Sequence, residues 1–130
     1  MSLRYIDDRE LIVDGREYWA FRLIISDAYI YSKGSTTEIT KVVVEPDSYG
    51  NKAFYVETPG TDSSLPKKHK LFSIYNMILD DNISWKNHYY WYVCETKEDA
   101  IMTWNAVLEK CLNSLEKKKN LLTKEIIHFE

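Results

Sequence analysis

The stretch from Thr96 to Ile127 reads TKEDAIMTWNAVLEKCLNSLEKKKNLLTKEII. Within it, Ile101, Trp104, Leu108, Cys111 and Leu115 recur at spacings of three and four, with Leu122 one heptad later, which is the apolar stripe of a long α-helix. Thr96 occupies the N-cap position, and Glu98 and Asp99 follow in the first turn, where the helix macrodipole favours acids. Asp99 is shorter than the Glu or Gln of a full capping box, so only the hydroxyl half of the exchange is to be expected. Lys118 interrupts the seam and Ile126 lies near its end. Carried unbroken from Lys97 to Ile127, such a helix would be roughly 31 residues and about 46 Å long. A compact chain of 130 residues is only about 36 Å across. Either the helix breaks near Asn120 and a short second helix folds back, or it overhangs its domain and buries Leu121, Leu122, Ile126 and Ile127 against another protomer. The second outcome makes the protein a homodimer, with Leu115, Leu121, Leu122 and Ile126 as its self-association residues.

Just before this helix, His88 to Glu95 is dense in aromatics and reads as a strand. Further upstream, Leu11–Val13 and Tyr18–Ile25 flank Asp14-Gly15, a dipeptide suited to a two-residue hairpin turn. Along the second arm Trp19, Phe21, Leu23 and Ile25 share one face, and the alternation predicts that this face meets the core. Ala28–Tyr31 resumes the strand, Lys33-Gly34-Ser35 turns into a strand over Thr36–Val44, and Pro46–Asn51 turns again into Lys52–Glu57. The loop residues Thr58 to Pro66 end this half. Beyond them Leu71, Ile74, Tyr75 and Ile78 carry helical spacing, which predicts a helix from Lys67 to Leu79, stopped by Asp80-Asp81-Asn82. The expected fold is α+β: an antiparallel β-meander sheet of about five or six strands packed against a short helix and a long C-terminal helix. A single domain, 1–130, divides into a strand-rich segment over residues 1–58, a loop over 59–66 and a helix-strand-helix segment over 67–130.

Composition narrows the function classes. The hydrophobic share of 45% and charged share of 28% are those of a globular protein and argue against a disordered or coiled-coil-only chain. A net charge of -3 opposes general polyanion binding, which relies on cationic neutralisation of phosphates. The charge is uneven, with 7 Lys/Arg against 11 Asp/Glu up to Leu65 and 10 Lys against 9 acids beyond it. Neither a signal peptide nor an apolar run of spanning length is evident in the sequence, so we expect a protein of the cytoplasm with no membrane partner. Cys94 and Cys111 read as small buried hydrophobes in a reducing compartment. Lys outnumbers Arg 13 to 4, a bias of the kind A+T-rich bacterial or phage genomes impose.

Catalytic constellations are weak. Cys94 and His88 stand six positions apart in one strand, about 20 Å, too far for a nucleophile and its base. His69 and His128 sit in basic or terminal surroundings, and the spacing of the three His and two Cys matches no zinc motif. The carboxylate pairs Asp7-Asp8, Asp80-Asp81 and Glu98-Asp99 each have a local role as turn, helix stop or helix start. Neither a cofactor nor a metal is expected. The aromatic surplus, 10 Tyr and 4 Trp, is more suggestive, and Tyr89, Tyr90, Trp91 and Tyr92 are consecutive, so two must lie on each face. Whichever pair avoids the core could anchor a protein partner, because Tyr and Trp supply large contacts with one polar end.

The sequence therefore leads to a small non-enzymatic interaction protein of inhibitor, adaptor or immunity type, working as a homodimer and binding a protein partner. One alternative is a ligand-binding module with Trp91 and Trp104 as pocket walls between sheet and helix and Arg22 as an anion contact. The other is a single-stranded nucleic-acid binder, stacking bases on Tyr89–Tyr92 and neutralising phosphate with Lys67, Lys68, His69 and Lys70.

Overall fold

The computed structural model describes residues 3–23, 38–60, 65–79 and 90–127. The fold is α+β: a five-stranded antiparallel sheet packed against one long C-terminal helix. Its strands are β1 (Glu17–Phe21), β2 (Thr40–Pro46), β3 (Lys52–Thr58), β4 (Lys67–Ser73) and β5 (Tyr92–Cys94), in the spatial order β4-β3-β2-β1-β5. The helix, α1, spans Lys97–Lys124. The expected strand at Ala28–Tyr31, the turn at Lys33-Gly34-Ser35, Asp80-Asp81-Asn82 and residues 61–64 of the loop lie outside the described residues.

The sheet curls until it nearly meets itself. Phe72 of β4 and Trp91, which precedes β5, belong to opposite ends of the strand order, yet their rings stack with centroids 4.6 Å apart. Trp91 also pairs in parallel with Met77, donating its N–H to the Asn76 carbonyl at 2.8 Å and accepting from Ile78 at 2.7 Å. An aromatic series, Tyr18, Phe54, Phe72 and Trp91, thus runs through the inner core together with Ile12, Val42, Val44 and Val93. A second core lies on the outer face, where Phe21 stacks on Tyr92 at 5.0 Å and meets Trp104 of α1 at 5.2 Å.

Because both faces of β1 are buried, the single-sided reading of that strand does not hold. Tyr18 and Ala20 are fully enclosed in the inner core, while Phe21 lies beneath α1 and Trp19 is half-buried with Lys97 above its ring. Asp14-Gly15 does form a turn, with Gly15 at φ 82°, but Leu11–Val13 is not the partner strand. Its backbone is held by a side chain instead: the Tyr18 hydroxyl accepts the Val13 N–H at 3.0 Å and donates to the Leu11 carbonyl at 3.4 Å. The partners of β1 are β2 and β5.

The expected helix over Lys67–Leu79 is replaced by β4 and a 3-10 turn over Ile74–Asn76. Pairing along the whole of β4 with β3 outweighs a short helical pattern that could bury only one stripe, and the Ser73 hydroxyl caps the turn by accepting from Tyr75 at 3.3 Å. Phe72 is the buried residue of this strand, whereas Leu71 of the supposed stripe is exposed. As an edge strand, β4 carries Lys67, Lys68 and Lys70, charges that discourage pairing with another sheet.

Helix α1 begins as its sequence requires, with the Thr96 hydroxyl accepting the Asp99 N–H at 3.1 Å. It continues through Asn120 without a break, so the folded-back second helix is not formed. At 28 residues it is about 42 Å long. The side it presses on the sheet is not the large apolar stripe. Ala100, Thr103, Ala106 and Val107 are buried, Trp104 and Leu108 are half-buried, and Ile101 is exposed. Small residues let the helix approach an outer face already filled by the rings of Phe21 and Tyr92, and this turns the large stripe onto the helix flank.

Candidate functional site

The aromatic strand is structural. Trp91 is only 3% exposed and faces the inner core, Tyr92 is 8% exposed and faces α1, and Tyr90 is half-buried beside the same outer cluster. Tyr89 lies outside the described residues, as do His88 and His128. Trp91 and Trp104 occupy opposite faces of the sheet, so they cannot wall one pocket as the ligand-binding alternative requires. Arg22 lies on the inner side, with its guanidinium carbon 5.1 Å from the centroid of the Trp91 ring. The base-stacking platform is likewise dispersed: Lys68 pairs with Glu45 and Lys70 with Asp47, at 3.1 Å in the second case, far from any open aromatic face of β5.

The titratable groups have structural roles. Cys94 is buried, its Sγ donating to the Thr103 hydroxyl at 3.8 Å, and burial, aided by the charge of Asp99, pushes its pKa up to about 12 despite that hydrogen bond. A thiol so placed does not ionise at neutral pH, which removes its nucleophilic form. Asp8 caps a 3-10 turn by accepting the Glu10 N–H at 2.9 Å, and Asp99 lies at the head of α1. Among the described residues, His, Cys, Asp and Glu nowhere gather in a group of three that could hold a metal. Among the same residues, no helix is long and apolar enough to cross a membrane.

What stands out is the distal half of α1. From Glu116 onward every described residue is exposed, and the helix continues past the sheet with apolar side chains in water. Leu112 is 65% exposed, Leu122 69% and Ile126 58%, while Leu115 is half-buried. At about 100° per residue, Leu108, Leu112, Leu115, Leu122 and Ile126 fall within about 40° of one line along the helix. Lys119 completes the line between Leu115 and Leu122. Leu121 does not join it: it lies about 120° round from Leu115, continuing the side of Thr103 and Ser114 that faces the sheet nearer the start of the helix. Leu112 was missed in the sequence because Cys111 satisfied the same three-four spacing. The signal that finds it is the step of four from Leu108 followed by three to Leu115.

No protein-family model, no curated protein and no solved structure matches this chain.

Proposed function

We propose that this chain is a non-enzymatic interaction protein, of the inhibitor, adaptor or immunity type, that acts as a homodimer joined through the projecting half of α1. The observation that carries the reading is the continuous apolar line of Leu108, Leu112, Leu115, Leu122 and Ile126, which leaves the domain on a helix with no sheet beneath it. Isolated helices gain little in water from propensity alone, so a helix of this length draws stability from covering its apolar side. A second copy supplies that cover at the same concentration as the first. The buried, protonated thiol of Cys94 and the capping roles of Asp8 and Thr96 support a scaffold in preference to a reaction centre. The two free cysteines suit a reducing, cytoplasmic setting.

Sedimentation velocity on the whole chain at tens of micromolar tests the proposal. A dimer is expected, and a monomer throughout that range would remove self-association from the account.

A further inference from the structure

We propose that the two α1 helices pair antiparallel, with the two-fold axis passing level with Lys117, so that each projecting tail lies along the flank of the other copy. The inference rests on the dimer reading above and assigns its geometry. Its first support is the spacing of the stripe. Leu108, Leu112, Leu115, Lys119, Leu122 and Ile126 step by four, three, four, three and four, a series identical when read from either end. Two such helices running in opposite directions therefore meet layer against layer: Leu108 with Ile126 of the second copy, Leu112 with its Leu122, and Leu115 with its Lys119. Interdigitation of this kind is what helix pairs with three-four spacing require.

Charge favours the same direction. Parallel helices in register would set Lys117, Lys118 and Lys119 beside the same three residues of the second copy, with Lys119 against Lys119 in the seam. Reversing one helix places Lys119 against Leu115, where its alkyl stem can lie on apolar surface while its ammonium reaches outward. There it meets Glu116 of the second copy, which flanks the stripe about 80° from its centre and within about one residue's rise of that lysine. The pairing is reciprocal, so both seam lysines acquire a carboxylate. Glu109 and Glu125, by contrast, fall on opposite flanks and do not confront each other.

The shape of the protomer permits this arrangement. The sheet grips α1 near Ala100, Thr103 and Val107, on a side about 100° from the stripe. With the axis at Lys117, the body of the second copy begins about where the tail of the first ends. The overlap is confined to the two exposed segments.

Disulfide trapping tests the direction. Leu112 and Leu122 are both exposed in the protomer, so cysteine at either position should leave the fold intact, as circular dichroism would verify. In a Cys111→Ser background, Leu112→Cys and Leu122→Cys chains are prepared separately, equilibrated together and exposed to a mild oxidant. Covalent dimers are expected to form in the mixture at least about tenfold faster than in either chain alone, because like positions lie about 15 Å apart along the axis. Leu122→Cys alone linking as fast as the mixture would establish parallel helices and overturn the proposal. Slow linking in every sample from a chain that still sediments as a dimer would also overturn it, while leaving the dimer itself standing. Monomeric sedimentation of the unmodified chain would remove both.

Discussion

The hydroxyl of Thr103 accepts the backbone N–H of Arg4 at 2.9 Å, joining residues 99 positions apart in sequence. The same oxygen accepts from Cys94, so one fully buried threonine ties the N-terminal segment and β5 to α1. Replacing it by valine keeps the shape and removes the acceptor. Thr103→Val should cost about 1–3 kcal/mol, the usual penalty for stranding a buried donor, and Thr103→Ser should cost less. Urea unfolding with an unchanged m-value would measure the difference.

Cys94 makes stability depend on alkaline pH. Its folded pKa, about 12, lies above that of an unfolded thiol, so the folded state binds more protons between roughly pH 9 and 12. The contribution is therefore complete below about pH 9 and is lost as pH rises toward 12. Cys94→Ala should flatten the fall in stability over that window. A thiol reagent at pH 8 should modify Cys111 alone in the native protein and both cysteines in guanidinium.

The two tryptophans near α1 and β5 should differ in cost. Trp91 is enclosed by Phe72 and Met77, and Trp91→Ala should lose about 3–5 kcal/mol. Trp104 is half-buried against Phe21, so Trp104→Ala should lose less, about 1–3 kcal/mol. Thermal melts of the two variants would rank them, and Trp91→Ala should also erase near-ultraviolet dichroism from the stacked rings.

Local signals carried the elements whose partners are close in sequence. Thr96 announced the start of α1, Asp14-Gly15 a turn, and the alternation through Lys52–Thr58 a strand, because a cap, a positive φ and a pleat are satisfied within a few residues. What escaped depended on distant neighbours. The stripe of Leu71, Ile74, Tyr75 and Ile78 looks helical until β3 offers Lys67–Ser73 a full ladder. Trp91 and Tyr92 looked available for a partner because closure of the sheet by Met77 and seating of α1 on Tyr92 cannot be seen in a single segment. The phase of α1 was missed for a similar reason. Only when Phe21 and Tyr92 are known to fill the outer face does it follow that Ala100 and Thr103, and not Ile101, must turn toward it.

Adjacent leucines on the tail of α1 isolate the central claim. Sedimentation equilibrium should be run on the unmodified chain, on Leu122→Lys, which alters the stripe, and on Leu121→Lys, which adds the same charge about 100° away. The unmodified chain and Leu121→Lys should dimerise alike, while Leu122→Lys should weaken the dimer by at least about thirtyfold with its melting temperature at monomeric concentrations unchanged. An unmodified chain that remains monomeric at tens of micromolar, or two variants that behave identically, would contradict the account.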